Sequence, residues 1–134
     1  MRFAKIVFNV AGVYGLLVLL PQYLLEAKYG RDYPPAVTHP EFYYGFVGVA
    51  VAFQLVFLVI ARDPARHRAM MLPSVVEKAS FGLAAPALYL QGRAPAVVLG
   101  PACVDLALGV LFVLAYLKTS GASSSPEGTS RTTP

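Results

Sequence analysis

The chain has 134 residues, of which 57% are hydrophobic and only 13% charged. An ordinary soluble domain carries roughly a quarter charged residues, so too little polar surface is present to cover a water-soluble globule of this size. That composition excludes most soluble-enzyme classes. The net charge of +4 argues for membrane orientation and not for nucleic acid, because the basic residues flank apolar blocks and form no stripe.

A helix needs about 20 apolar residues to cross the hydrocarbon. The first candidate is Lys5–Leu25, preceded by Arg2. Its apolar run is too long for the core of a signal peptide, and no small-x-small cleavage pattern follows at Leu24-Leu25-Glu26-Ala27-Lys28, so a retained span is expected. The loop Glu26–Glu41 leads to the second span, Phe42–Ala61. Thr38-His39-Pro40-Glu41 before it fits the S/T-x-x-E capping box, which makes Glu41 a cap and His39 a solvated loop residue.

The loop Arg62–Ser74 is basic, holding Arg62, Arg66, His67 and Arg68. The third span, Val75–Gln91, is the shortest. Ser74-Val75-Val76-Glu77 reads as a second capping box, with Pro73 just outside the helix and Lys78 snorkelling toward the phosphates. The alternative places Glu77 and Lys78 inside the membrane, where ionisable residues are functional by default. The gap Gly92–Pro95 is so short that the third span and the fourth, Ala96–Leu117, must form an antiparallel hairpin. Cys103, the single cysteine, is expected to be a small buried hydrophobe, and one cysteine allows no intramolecular disulfide and no cysteine-based metal site. After Lys118 the composition turns to Ser, Thr, Gly and Pro, so residues 119–134 read as a disordered cytoplasmic tail and 1–118 as the membrane domain.

The expected fold is therefore all-α, an integral membrane four-helix bundle. Backbone groups in lipid must be satisfied by helices or closed barrels, and the two-residue alternation of barrel strands is missing. Arg2, Lys5, Arg62, Arg66, Arg68, Lys78, Lys118 and Arg131 fall on one side, and Lys28, Arg31 and Arg93 on the other. The positive-inside rule then puts both termini in the cytoplasm. Six of the eight tyrosines (Tyr23, Tyr29, Tyr33, Tyr43, Tyr44, Tyr89) gather at the outer ends, as an interfacial belt would.

Asp105 is the residue without a simple structural explanation. It stands about nine residues into the fourth span, hence about 14 Å deep, where an aspartate costs about 2.5–3.5 kcal/mol. It is expected to face the bundle interior, neutral or paired. Gln54, Asn9 and Lys78 are its candidate partners by depth, and the four would form one polar cluster drawn from four helices. Pro21, Pro86 and Pro101 lie at a common depth inside the outer ends, and kinks there would open a vestibule above Asp105. Gly12, Gly15, Gly45, Gly48 and Gly109 permit close helix packing. No HExxH, phosphate-loop, CxxC or GxSxG pattern occurs, and no cofactor or metal is expected.

The stretches Tyr43-Tyr44-Gly45-Phe46-Val47-Gly48-Val49-Ala50, Ile60-Ala61-Arg62-Asp63-Pro64 and Glu77-Lys78-Ala79-Ser80-Phe81-Gly82 resemble small bacterial four-helix membrane proteins of the DoxX-like kind. The resemblance covers most of residues 5–117 and implies residence in the bacterial cytoplasmic membrane. A more distant similarity is to the EXPERA group of sterol isomerases and sigma-2-type receptors, which set acidic residues in a membrane cavity. The isomerases' acids and histidine inside the bundle are not matched here, because His39 and Glu41 lie at a helix start. Three functions are open on this reading. The first is binding or accessory work with a lipid-like or quinone-like apolar molecule or a membrane complex. The second is catalysis on an apolar substrate with Asp105 as acid–base, and the third is a structural subunit acting through a homo-oligomer.

Overall fold

The computed structural model describes residues 1–120. These form five α-helices: α1 (Arg2–Leu19), α2 (Glu26–Asp32), α3 (Pro40–Arg62), α4 (Met71–Leu90) and α5 (Leu99–Lys118). Short 3-10 turns extend α1 over Leu20–Leu24, precede α4 at Arg68–Met70 and precede α5 at Ala96–Val98. No strand occurs among the described residues. The expected tail lies outside them, apart from Thr119 and Ser120. Thr119 is buried, and its backbone N–H closes the last turn of α5 on Ala115.

With their adjoining turns, Arg2–Leu24, Pro40–Arg62 and Ala96–Lys118 are each long and apolar enough to cross a membrane. Their outward faces carry large apolar side chains such as Leu17, Phe42, Val49, Val110 and Leu117, each more than half exposed. In water such surface would drive aggregation, whereas lipid chains solvate it. The chain is a small helical membrane protein.

The helix ends follow from local chemistry. Pro40 occupies the first helical position of α3, where its missing N–H is no loss. His39 is thus the N-cap and Thr38 lies one residue too early, so the capping box expected at Thr38–Glu41 does not form; Glu41 instead meets His39 Nδ1 at 3.3 Å. The box expected at Ser74–Glu77 also fails, because α4 starts at Met71 and takes Pro73 into its first turn. Ser74 Oγ donates to Met70 O at 2.7 Å, one turn back. At its other end α4 closes on a Schellman motif. Gly92, at φ +70°, donates to Tyr89 O (2.9 Å) and Arg93 N–H to Leu88 O (2.8 Å), and the chain turns back into the 3-10 turn at Ala96 that leads to α5.

The four long helices pack in the ring order α3–α1–α5–α4, with α1 most extensively on α3 and α4 on α5. A Cβ at Gly12 would meet Leu58 at 2.7 Å, and one at Gly82 would meet Leu106 at 2.8 Å. Glycine lets the backbones approach closely at these two crossings. An aromatic core joins the two pairs. Phe8 stacks on Phe112 with centroids 4.2 Å apart, Phe57 meets Phe112 edge-on at 4.9 Å, and Ala4, Ala11, Ile60, Met71 and Ala115 close around them.

That core sits toward the end shared by the N-terminus, the α3–α4 loop and the end of α5. There Lys118 Nζ lies 4.3 Å from the Phe3 ring centroid, and the Arg68 guanidinium stacks 3.7 Å from that of Tyr116. Arg68 Nε also donates to the carbonyls of Tyr116 and Thr119. At the opposite end, Tyr43 Oη donates to Gln22 O (2.7 Å) and Tyr44 Oη to Glu26 Oε2 (2.6 Å), holding α2 against the start of α3. Lys28 pairs with Asp32 along α2.

Candidate functional site

Because α4 begins at Met71, Lys78 lies two turns inside it, about 10 Å along the helix. Its side chain runs inward past Gly109 of α5, where a Cβ would stand in ordinary contact 3.5 Å from Lys78 Cβ. Only 5% of that side chain is exposed. Lys78 Nζ donates to Asp105 Oδ1 at 3.1 Å and lies 3.4 Å from Glu77 Oε2, with the Phe57 ring of α3 centred 5.3 Å away. Snorkelling to the phosphates does not occur. A lysine buried this far inside the bundle would be costly unpaired, and the two carboxylates supply the compensating charge.

Glu77 and Asp105 are each 16% exposed. Their situations differ. Asp105 accepts a hydrogen bond from Lys78, whereas Glu77 Oε2 is buried without any hydrogen-bond partner. The cluster therefore spans the α4–α5 interface and counts two carboxyl groups against one ammonium.

Of the residues singled out by depth, only Asp105 and Lys78 come together. Gln54 is buried, but its Nε2 donates to Ala50 O of its own helix at 2.9 Å, and its Oε1, against Gly15 of α1, has no partner. Asn9 is exposed on α1, outside the stripe of Ala4, Phe8, Ala11, Gly12 and Gly15 that faces the bundle. Cys103 also faces outward, next to buried Ala102, which corrects its expected burial. Glu77 is the member that sequence reasoning assigned to a cap. The available signal was Pro73, since a proline fits inside a first turn as well as before one, and α4 starts at Met71.

No vestibule stands above Asp105 among the described residues. Pro21 lies in the 3-10 turn that ends α1, and Pro101 in the first turn of α5, so neither breaks a helix. Only Pro86 is interior. Two surface depressions lie elsewhere. One of about 500 Å³ runs along the outer face of α4 beside Val76, Ala79, Ser80, Leu83 and Ala84. Another of about 420 Å³ lies at Glu26, Gly30, Arg31 and Val37.

No family model, curated protein or solved structure matches this chain. Its functional reading therefore rests on its own residues. An ion pair completed within the chain can lock two helices together, and the surplus carboxyl beside it can engage a further positive charge or hydrogen-bond donor.

Proposed function

We propose that this is a four-span protein of the cytoplasmic membrane with both termini in the cytoplasm, acting as a binding or accessory component through the Glu77–Lys78–Asp105 cluster. α4 is the fourth span. It is the least apolar long helix, but its charged pair is neutralised internally and faces α5. The orientation is supported by the gathering of Arg2, Lys5, Arg62, Arg66, Arg68 and Lys118 on segments that meet at one end.

The observation that carries the binding reading over catalysis is the Lys78–Asp105 bond. An aspartate already holding a buried lysine at 3.1 Å is a counter-ion, not a free general acid or base. The apolar partner, whether a lipid-like or quinone-like molecule or a neighbouring membrane protein, would lie along the shallow depression on the outer face of α4 lined by Val76, Ala79, Ser80, Leu83 and Ala84.

Native mass spectrometry of the protein released from mild detergent, wild type beside Asp105→Asn, tests this reading. A stoichiometric apolar molecule or partner chain that the variant retains less well supports it. Bare protein or bulk lipid alone in both samples overturns it in favour of a purely structural subunit.

A further inference from the structure

The charge count of the cluster is incomplete. Glu77 and Lys78 already balance each other within α4, and Asp105 brings a second carboxylate from α5. Nothing else restores neutrality. The bundle-facing residues of α1 (Ala4, Val7, Phe8, Ala11, Gly12, Gly15) include no ionisable side chain. Those of α3 offer only Gln54, which is bonded to its own helix, and Phe57. Among the described residues no other charged group lies within ion-pairing distance of the three.

With α4 in the membrane, a net charge two turns inside the helix is poorly solvated, and one more positive charge would complete the site. A metal ion is a poor fit. Hard cations require six or more oxygen ligands, and among the described residues no three His, Cys, Asp or Glu side chains converge to hold one. A proton needs a single lone pair, and Glu77 Oε2 is a buried oxygen without a hydrogen-bond partner. An oxygen held by a 3.4 Å ion pair but by no hydrogen bond is less costly to bury as a neutral carboxyl than as half a carboxylate. Asp105 keeps the better bond to Lys78.

We propose that the Glu77–Lys78–Asp105 cluster is a binding site for one exchangeable proton, taken up on Glu77. The inference rests on the proposal that α4 lies in the membrane, and it names the first ligand of the site proposed above. Binding is a simple addition: one proton joins the Glu77 carboxylate and the cluster passes from −1 to neutral.

Infrared difference spectroscopy of the full chain in lipid nanodiscs tests it. At neutral pH the wild type is expected to show one protonated-carboxyl stretch per chain, shifted in heavy water and lost as pH is raised. Glu77→Gln and Asp105→Asn should each abolish the stretch, since either leaves one carboxylate for one ammonium; Glu41→Gln, an exposed site, should leave it intact. A wild type without the stretch overturns the proposal and needs no variant. Survival of the stretch in Asp105→Asn overturns the charge count even where Glu77→Gln removes it. The location of α4 is read separately. In a Cys103→Ala background, a cysteine at Gln91 should react with an impermeant maleimide from the side opposite to one at Ala65. Labelling from the same side refutes the span itself, while opposite-side labelling without the stretch refutes only the proton.

Discussion

Lys78 Nζ of α4 donates to Asp105 Oδ1 of α5 across 3.1 Å, and Glu77 Oε2 stands 3.4 Å from the same nitrogen. The lysine is thus shared between two helices, and its removal is not equivalent to removal of either acid. Lys78→Met leaves the Asp105 carboxylate and the Glu77 carboxyl without their shared counter-ion, which should cost about 3–5 kcal/mol. Asp105→Asn leaves Glu77 and Lys78 balanced and should cost about 1 kcal/mol, the net value of one hydrogen bond. Thermal unfolding in a mild detergent, followed by circular dichroism, should rank them in that order. The opposite ranking would mean that the lysine is not the centre of the cluster.

The glycines divide into two groups by what a Cβ would meet. Gly82→Val should lower stability by about 1–3 kcal/mol, because Leu106 of α5 leaves no room and the helices must separate. Gly45→Ala and Gly100→Ala, where nothing lies within 4 Å, should stay within about 0.5 kcal/mol of wild type. Equal effects at all three would remove the α4–α5 close approach from the account.

Gln54 and Gly15 form a coupled pair. A Cβ at position 15 would overlap the Gln54 side-chain amide, so Gly15→Ala forces that side chain out of its bond to Ala50. In a Gln54→Ala background the same methyl should be tolerated. A double-mutant cycle on thermal stability is expected to show a coupling of about 0.5–3 kcal/mol. Additivity would show that the side chain moves aside freely.

At the end of the bundle away from the aromatic core, Tyr44 Oη anchors α2 through Glu26 at 2.6 Å. Tyr44→Phe should speed backbone amide exchange in Glu26–Asp32 without shifting the main unfolding transition, since α2 adds nothing to the aromatic core. Unchanged exchange in α2 would assign its anchoring to the Tyr43–Gln22 contact instead.

Topology has an independent check. With Cys103 replaced by alanine, cysteine at Ala36 should react with an impermeant maleimide on intact cells, whereas cysteine at Ala65 should react only after permeabilisation. The converse pattern would invert the orientation derived from the basic residues.

Much of the architecture was legible in the residues. Apolar blocks of about 20 define helices that lipid can solvate, the Gly92–Pro95 gap demands a hairpin, and Gly92 supplies the left-handed residue that closes α4. Helix starts were less legible. Prolines at 40 and 73 fit inside a first turn as well as before one, which displaced both expected capping boxes.

What only tertiary structure decided is the rotation of each helix about its own axis. In water a polar face points outward and an apolar stripe inward, so sequence period reveals the buried side. In a bilayer the lipid is as apolar as the protein interior, and that signal fades. Packing then chooses. It turned Asn9 and Cys103 outward, Gln54 onto Gly15, and Lys78 over Gly109 toward Asp105, with Glu77 completing the charge beside it.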